Sequence, residues 1–434
     1  MSEAVREPLG MKMYRAASRV AGPLAGVVLN RRARAGKEDL SRISERRGYS
    51  DRQRPDGPLV WIHGASVGES LSIIPLVEHL LEKRPALHFL VTTGTVTSAA
   101  MMEKRLPAGA FHQYIPLDLP VYVDAFLDHW RPDAALFVES EFWPNLILGA
   151  RRRATFMALI NGRVSPSSYD SWRRQPRAIK FLLSKFDAIV AQDHQNAERL
   201  MTLAAREVDM FGNLKNAAPP LPADEAEIEH LRATTAGRTV WLAASTQPGE
   251  EETIFAAHQL LKAEYPNLLT IIAPRHPHRG EEVASIAQDQ GLKSARRATS
   301  QPIEEITDVY IADTLGELGI FYRLTDIAFV GGGIIPKGGH NPLEPARLGA
   351  AILHGPHTFN FVETYSDMRK TGGAALVRNE RDLATALRRL FADSKTRAAM
   401  AAAAKHSAEQ NAEKVLNDLS ATLIDRIDAA VGAS

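Results

Sequence analysis

Short apolar runs alternate with amphipathic segments of helical length between residue 55 and about residue 215. The runs are rich in β-branched and aromatic residues and lie at residues 59–62, 88–93, 134–140, 155–161 and 187–192. Apolar runs of this length are typical of strands buried on both faces, and the helical segments between them are typical of parallel crossovers. The pattern therefore predicts an α/β lobe with a parallel sheet over residues 55–215.

A stretch rich in proline, alanine and acidic residues interrupts this alternation at residues 216–230, as is typical of an interdomain linker. A second series of apolar runs lies at residues 239–246, 268–274, 308–313, 326–332 and 350–355. It predicts a second lobe over residues 231–395, and the apolar-periodic tail predicts a helix over residues 396–434. The expected architecture is two Rossmann-like, doubly wound lobes that face a central cleft.

The composition supports two globular domains and narrows the possible chemistry. The 434 residues exceed what one hydrophobic core usually organises, and 45% of them are hydrophobic. Because the chain has no cysteine, disulfides, thiolate metal sites and cysteine nucleophiles are excluded. The net charge of +1 gives no argument for nucleic-acid binding.

Positive charge is concentrated in residues 1–54, which hold 13 basic and 6 acidic side chains and therefore carry a net charge of +7. The apolar stretch at residues 20–29 is too short to cross a membrane, which takes about 20 helical residues. Pro23 and the basic residues that follow it oppose a cleaved secretory signal. We interpret the segment as one that meets anionic lipid at a membrane surface, with a solvated basic helix as the alternative.

Glu69 stands at the first strand-to-helix turn, in the sequence HGASVGE. Ligands of open α/β sheets gather at the carboxyl ends of the strands, so chemistry is expected at this turn. A carboxylate held there by helix amides is able to accept a proton from an attacking hydroxyl. A glutamate in a first helical turn also complements the helix dipole in any protein, and the local sequence does not decide between the two roles.

Further charged side chains follow other strands of the first lobe. Glu139 and Glu141 stand at the end of the third apolar run, where either is also able to cap the next helix. Lys215 precedes the predicted linker and is expected to face the cleft, where a cation neutralises phosphate or carboxylate charge. An exposed linker lysine is the alternative.

The second lobe has a basic loop after its second apolar run. Arg275 is a candidate phosphate ligand because its planar guanidinium donates several hydrogen bonds in a fork. The two histidines in the sequence HPH, at residues 276–278, have no carboxylate at metal-ligand spacing, so we do not expect a metal site there.

A glycine-rich segment follows the fourth apolar run of this lobe, with five glycines in residues 331–339. Such a loop lets backbone amides approach a ligand closely, although a purely conformational role of the glycines is the alternative. Asn341 before Pro342 is a good start for a helix that faces a phosphate. Glu344, one turn further on, is placed to accept hydrogen bonds from ribose hydroxyls.

Seven motifs occur in order along the chain: HGASVGE, VESEFWPN, GNLK, APRH, DTLGELG, GGGIIPKGGHNPLEPA and HGPHTFNF. With this combination the sequence resembles the bacterial 3-deoxy-D-manno-octulosonic acid (Kdo) transferases of lipopolysaccharide assembly, from about residue 36 to residue 361. The resemblance implies a GT-B fold and inverting transfer of Kdo from CMP-Kdo to the lipid A precursor lipid IVA. It also implies that the reaction uses no metal or other cofactor and takes place at the cytoplasmic face of the inner membrane.

The resemblance extends to individual residues. Glu69 matches the proton acceptor of the family, which activates the acceptor hydroxyl, and Glu139 and Lys215 match positions that stabilise the transition state. The positions that match the CMP-binding segments are Pro274, Arg275, Gly316, Glu317, Leu318, Asn341, Pro342, Leu343 and Glu344.

Two other interpretations of the motifs stay open at this stage. Another GT-B enzyme, such as a UDP-sugar transferase or epimerase, has both lobes and the glycine loop, and so does a nucleotide-binding scaffold without catalytic activity. The amino terminus also departs from the family pattern. Family members commonly have a more apolar anchor here, whereas this segment is interrupted by the basic residues Lys12, Arg15 and Arg19.

Overall fold

The computed structural model describes residues 6–432 and divides the chain into two units, each with a parallel sheet of seven strands among these residues. Unit 1 comprises Met1–Pro219 and Ala412–Ser434, and unit 2 comprises Pro220–Asn411. The outermost residues of the predicted segments 1–54 and 396–434, namely 1–5 and 433–434, lie outside the described residues. The prediction of two doubly wound α/β lobes is confirmed.

The sheet of unit 1 has the strand order β3-β2-β1-β4-β5-β6-β7. Its strands are β1 (Leu59–His63), β2 (His88–Thr93), β3 (Ala110–Tyr114), β4 (Ala134–Val138), β5 (Phe156–Gly162), β6 (Ala188–Ala191) and β7 (Asp209–Met210). In β1, Leu59 and Trp61 enter the core on one face of the sheet, and Val60 and Ile62 enter the core on the other. Burial on both faces explains why the central strands are apolar at every position.

Helices of 8 to 17 residues cover this sheet, and their starts follow local sequence rules. The helices are α1 (Leu9–Val20), α2 (Gly22–Arg34), α3 (Val67–Lys83), α4 (Val96–Arg105), α5 (Pro120–Trp130), α6 (Pro144–Arg151), α7 (Pro166–Arg173), α8 (Pro176–Leu183) and α9 (His194–Ala204). Proline opens α5 to α8, where its fixed φ and missing N–H cost nothing. Within residues 6–432, no helix has both the length and the apolar character needed to cross a membrane.

The sheet of unit 2 has the strand order β10-β11-β9-β8-β12-β13-β14. Its strands are β8 (Thr239–Thr246), β9 (Leu268–Pro274), β10 (Ser294–Arg296), β11 (Val309–Ile311), β12 (Ile327–Val330), β13 (Ala351–His354) and β14 (Ala374–Leu376). The central strand β8 pairs in parallel with β9 and β12.

The helices of unit 2 include one that begins inside the segment predicted as a linker. They are α10 (Glu225–Thr234), α11 (Glu251–Lys262), α12 (Gly280–Asp289), α13 (Leu318–Leu324), α14 (Leu343–Arg347), α15 (Val362–Lys370) and α16 (Glu380–Ala392). The acidic residues of the segment cap and open α10, and Ile228 and Leu231 of this helix are buried in the core of unit 2. Its proline-rich part, before Asp224, has no regular structure.

A final helix, α17 (Ser394–Gly432), contributes to the cores of both units. Its alanine-rich first half packs in unit 2, where a Cβ on Gly373 would lie 2.5 Å from the backbone nitrogen of Ala404. Its second half packs in unit 1 through Val415, Leu419 and Leu423. The alanines therefore permit a close backbone approach that larger side chains would prevent.

Candidate functional site

The loops after β1 and β4 lie at the point where the strand order of unit 1 changes direction. Connections leave these neighbouring strands toward opposite edges of the sheet, which opens a crevice at their carboxyl ends. Glu69 follows β1, and Glu139 follows β4. Two of the predicted catalytic residues are thus at the place where open α/β sheets bind ligands.

The Glu69 carboxylate is part of a capping arrangement at the start of α3. Ser66 caps the helix by accepting a hydrogen bond from the Glu69 N–H, and its Oγ donates to Glu69 Oε1 at 2.6 Å. The Ala65 N–H donates to Glu69 Oε2 at 2.8 Å. Glu69 therefore does stabilise the start of α3, which is the alternative role that the sequence left open. Each carboxylate oxygen keeps a further lone pair, so proton acceptance is compatible with it.

Glu139 and Lys215 form an ion pair, with Lys215 Nζ 2.5 Å from Glu139 Oε1. The Glu139 side chain is buried, and its other oxygen is 3.7 Å from a guanidinium nitrogen of Arg163. Lys215 also covers the start of α3, since a Cβ on Gly68 would lie 3.7 Å from Lys215 Cε. The structure thus brings Lys215 against Glu139 and against the helical turn that carries Glu69, and Lys215 is not a free linker lysine.

Residues with left-handed backbones lie at strand ends in both units. Glu139 has a φ of 60° after β4, and Asn161 has a φ of 51° near the end of β5. In unit 2, Ser245 has a φ of 57° near the end of β8. Such conformations cost about 1–3 kcal/mol for residues other than glycine and cluster at functional sites. At Glu139, the strained backbone is the one that aims the carboxylate at Lys215.

Glu141 lies beside Glu139 but has different partners. Its Oε2 accepts a hydrogen bond of 2.5 Å from the Trp143 Nε1–H, and it lies 3.7 Å from Nε2 of the buried His63. Burial raises the pKa of the Glu141 carboxyl, but His63 and Trp143 outweigh this and hold the pKa below its ordinary value. The N-cap of α6 is Trp143, so neither Glu139 nor Glu141 occupies that position.

In unit 2, the predicted donor-binding residues Arg275, Asn341 and Glu344 form one group. Asn341 Oδ1 accepts a hydrogen bond of 3.0 Å from the Leu343 N–H at the start of α14, and the Asn341 side chain also hydrogen-bonds Glu344. Burial raises the pKa of the Glu344 carboxyl, and Asn341, Arg347 and Arg275 oppose this rise. Arg275 is exposed beside this carboxyl, which leaves its guanidinium accessible to a ligand.

The residues adjacent to this group shape and hold the loops of unit 2. Pro274 ends β9, and Pro342 and Leu343 are buried, so their side chains shape the loop. His340 accepts a hydrogen bond of 3.1 Å on its Nε2 from the Gln247 side chain. Burial and the neighbouring charges of Arg275 and His276 lower the pKa of His340 to about 4, so the ring is neutral at pH 7 and able to accept.

The amides of the glycine-rich loop bind a carboxylate of the protein itself. The fully buried Glu250 accepts hydrogen bonds from the N–H groups of Gly332, Gly333 and Ile334, at 2.7, 3.0 and 3.0 Å, and from Gln247 N at 3.1 Å. The expectation that these amides crowd a ligand is therefore wrong for residues 332–334, because Glu250 already satisfies them. The sequence shows Glu250 at a strand end but gives no sign of this long-range pairing.

Glu317 is similarly engaged within the protein. Its carboxylate accepts two hydrogen bonds from Arg297, at 2.6 and 2.7 Å, and one from Thr314. The hydrogen bonds from Arg297 lower the pKa of Glu317 below its ordinary value. Gly316 is exposed with a φ of 83°, and Leu318 opens α13. Any ligand contact at Gly316, Glu317 and Leu318 is therefore left to the backbone, since the acidic side chain is occupied.

The basic residues of the amino-terminal segment fall into two groups. Arg42, Arg46 and Arg54 turn inward and hydrogen-bond carboxylates or carbonyls of unit 1. By contrast, α1 and α2 present exposed apolar side chains and exposed basic ones together: Leu9, Lys12, Met13, Arg19, Val20, Val27, Val28, Arg31 and Arg34. The segment of residues 1–54 therefore holds both inward-turned and exposed basic residues.

Among residues 6–432, no three His, Asp or Glu side chains are grouped closely enough to hold a metal ion.

Comparisons with known proteins agree in the protein family that they indicate. Residues 41–218 match the family model described as 3-deoxy-D-manno-octulosonic-acid transferase (kdotransferase). The chain is 35% identical over 345 residues to 3-deoxy-D-manno-octulosonic acid transferase of Haemophilus influenzae, covering 79% of this chain and 81% of that protein. It is 33% identical over 410 residues to the enzyme of the same name from Bordetella pertussis, covering 92% of this chain and 95% of that protein.

The fold has solved counterparts as well. A glycosyltransferase from Rickettsia africae superimposes with a TM-score of 0.58 at 12% identity, covering 88% of this chain and all of that chain. At this identity the likeness concerns the fold alone, which is an α/β fold of GT-B type.

Proposed function

Because the chain belongs to the Kdo transferase family of glycosyltransferases, we propose that it transfers Kdo from CMP-Kdo to lipid IVA in lipopolysaccharide biosynthesis. We propose further that the transfer inverts the anomeric centre and needs no metal ion. The observation that carries the proposal is the grouping of Glu139 and Lys215 beside the helical turn of Glu69, at the switch point of the unit 1 sheet.

In this proposal Glu69 is the general base. Its carboxylate takes the proton of the acceptor's primary hydroxyl while that oxygen attacks the anomeric carbon of Kdo, and the bond from that carbon to the CMP phosphate breaks. Attack on the face opposite the departing CMP inverts the centre. Hydrogen bonds from Ala65 and Ser66 support this role, because they fix both oxygens of the carboxylate before the substrate arrives.

Glu139 and Lys215 supply the charge that the transition state needs. The sugar develops oxocarbenium character as its bond to CMP breaks, and a buried carboxylate stabilises such a cation. The Lys215 ammonium pairs with the buried Glu139 carboxylate and offers positive charge to the substrates. The left-handed backbone at Glu139 supports this role, since strained conformations of this kind cluster at functional sites.

Unit 2 binds the CMP donor in this proposal. Arg275 is exposed beside Glu344 and is suited to a phosphate, and Asn341 and Glu344 are suited to ribose hydroxyls. Gly316, Glu317 and Leu318 would contribute backbone groups, because the first amides of a helix lack intrahelical partners. Pro274, Pro342 and Leu343 hold these loops in place.

The lipid acceptor implies a membrane surface, which we propose is the cytoplasmic leaflet of the inner membrane. The exposed apolar residues Leu9, Met13 and Val20 recur on one side of α1 with Lys12 and Arg19 next to them. A helix of this kind lies in the headgroup region of an anionic membrane without spanning it.

The experiment that tests the proposed function measures transfer of Kdo from CMP-Kdo to lipid IVA by mass spectrometry of the product. Glu69→Gln is expected to lose at least about a hundredfold in kcat, because Gln keeps the shape and one hydrogen-bond acceptor but does not take up a proton. Glu139→Gln and Lys215→Ala are expected to lose a similar factor through weaker electrostatic stabilisation.

Glu225→Gln is the matched control, since Glu225 is an exposed first-turn glutamate of α10. It should transfer Kdo at the wild-type rate. Full activity of Glu69→Gln would contradict the assignment of the base, and a wild-type protein that uses UDP-sugars in place of CMP-Kdo would overturn the proposed function. Added EDTA should leave the rate unchanged.

A further inference from the structure

Unit 1 contains an apolar cavity of about 310 Å³ beside the loop that follows β4. Gly10, Met11 and Tyr14 of α1 form one wall of this cavity. Phe142 and Trp143 form the second wall, and the region of α7 and α8, with Trp172, forms the third. The space is therefore bordered by three separate elements of the fold and is not a gap within one loop.

The walls of the cavity offer hydrocarbon and ring surfaces. Phe142 and Trp172 contact each other edge to face, with ring centroids 6.2 Å apart. The Trp143 Nε1–H donates to Glu141, and the Tyr14 hydroxyl donates to Asp118. Because both polar groups have partners within the protein, only the apolar bodies of these rings are left for an occupant. Trp143 nevertheless remains 47% exposed, so the cavity is open to a ligand.

The surface next to the cavity is basic. Arg173, Arg174 and Arg177, which are adjacent in the sequence to the lining residues Trp172, Gln175 and Ala178, are exposed. Most of the nearby carboxylates are engaged within the protein. Glu7 pairs with Arg15, Asp118 accepts a hydrogen bond from Tyr14, and Glu141 accepts one from Trp143, whereas Asp170 is exposed. An apolar cavity with a cationic rim is complementary to an amphiphile with a hydrocarbon chain and an anionic head group.

The position of the cavity connects it to the acceptor. Trp143 follows Glu139 by four residues on the same loop, and Glu139 pairs with Lys215 beside the turn of Glu69. We propose that the cavity binds an acyl chain of the anionic lipid acceptor and so helps to hold the acceptor hydroxyl at Glu69. This inference rests on the proposed function, because it assigns a subsite to the acceptor of that reaction.

Gly10 gives direct access to the cavity for an experiment. It lines the cavity, and a Cβ added there would meet no atom within 4 Å. Gly10→Leu is therefore expected to fill the space without a clash, and it replaces a poor helix former within α1. Gly26→Leu is the matched control, because Gly26 lies on α2, has the same free space and does not line the cavity.

The first measurement is a fluorescence titration with dodecyl phosphate below its micelle concentration, with inorganic phosphate in parallel. Trp143 and Trp172 report on the cavity, since Trp61, Trp130 and Trp241 are fully buried elsewhere. Wild type and Gly26→Leu should bind dodecyl phosphate with equal affinity, and Gly10→Leu should bind it at least about tenfold more weakly. Inorganic phosphate should bind all three weakly.

The second measurement is the steady-state kinetics of Kdo transfer. Gly10→Leu should raise the KM for lipid IVA and leave the KM for CMP-Kdo unchanged, a split that general damage to the fold would not produce. Equal affinity of Gly10→Leu and Gly26→Leu for dodecyl phosphate would overturn the inference. Inorganic phosphate that binds as tightly as dodecyl phosphate would also overturn it, because the affinity would then belong to the basic rim alone.

The two proposals fail in different ways. If wild type transfers no Kdo but Gly10→Leu selectively loses dodecyl phosphate binding, the proposed function is overturned and a hydrocarbon site in the cavity is supported. If Kdo transfer is normal and Gly10→Leu has the wild-type KM for lipid IVA, the reaction stands and the acyl-chain subsite is overturned.

Discussion

The carboxylate of Glu250 holds the glycine-rich loop of unit 2 in its conformation. Each of its oxygens accepts two backbone N–H hydrogen bonds, Oε2 from Gln247 and Gly332, and Oε1 from Gly333 and Ile334. A Cβ on Gly331 would lie 2.9 Å from Glu250 Oε2, so glycine is needed where the loop passes the carboxylate. The loop thus closes around an internal anion.

We predict that Glu250→Gln lowers the free energy of unfolding of unit 2 by about 1–3 kcal/mol, because the amide NH₂ faces two backbone donors and leaves them without an acceptor. Urea unfolding followed by the fluorescence of Trp241, which lies in unit 2, measures this change. Glu252→Gln, at an exposed position two residues away, should leave the unfolding midpoint unchanged. Equal midpoints for the two variants would contradict the assigned role.

At the residue scale, the sequence predicts the positions of charged side chains better than their partners. Glu69, Glu139 and Arg275 follow strands, and parallel topology carries the ends of such strands to one edge of a sheet. The contact of Lys215 with Glu139 and that of Arg297 with Glu317 depend on how distant segments pack, and no local pattern encodes them. The expectation of free loop amides is wrong for the same reason, since Glu250, at the N-cap of α11, lies more than 80 residues before the loop in the sequence.

At the element scale, α17 differs from the other helices because one continuous helix completes two cores. Val415, Leu419, Leu423 and Ile427 recur every four residues and are buried against the sheet of unit 1. The spacing explains why this stretch is helical and amphipathic, and the alanines before it fit the close approach to Gly373 in unit 2. A change in one half of the helix is therefore expected to act on one unit.

We predict that Leu423→Ala destabilises unit 1 by about 2–5 kcal/mol, because Leu423 is fully buried and its removal leaves a cavity. Hydrogen exchange resolved by mass spectrometry should show faster exchange in the strands of unit 1, with little change in the strands of unit 2. Asp425→Ala, at an exposed position two residues further along the same helix, serves as the control. Uniform loss of protection in both units would contradict the prediction.

The strands show which elements a sequence pattern reveals. The interior strands β2, β8 and β9 begin and end where the apolar runs do, and the other interior strands begin and end within two residues of their runs. The pattern does not predict β3, β7, β10 or β14, which are short or lie at the sheet edges. β3 alternates buried and half-buried residues, and β7 has only two residues, so neither produces a continuous apolar run.

At the scale of the whole molecule, buried histidines link stability to pH. Burial lowers the pKa of His112 in unit 1 to about 3 and the pKa values of His258, His340 and His354 in unit 2 to about 4. A histidine whose pKa is lower in the folded state contributes stability that is present above pH 6.5 and is lost as the pH falls toward 4. The raised pKa values of the Asp118, Glu250 and Glu344 carboxyls act in the opposite direction.

We predict that His354→Gln makes the stability of unit 2 less dependent on pH between 6.5 and 4. The fully buried His354 donates from Nδ1 to the Gly355 carbonyl at 2.7 Å, so a second proton would add a charge in an apolar core. The slope of the unfolding free energy against pH should fall by up to about 1.4 kcal/mol per pH unit. Urea titrations at several pH values measure it, with His406→Gln, at an exposed position, as the control.

The shared helix α17 also fixes an order of events during translation. Unit 2, Pro220–Asn411, is complete once the ribosome has released residue 411, whereas the core of unit 1 still lacks Val415, Leu419 and Leu423 at that moment. Domains usually fold from the amino terminus onward as they are synthesised. Here the half of the enzyme that is translated first finishes folding last, because part of one apolar face of its sheet stays uncovered until these residues of α17 have been made.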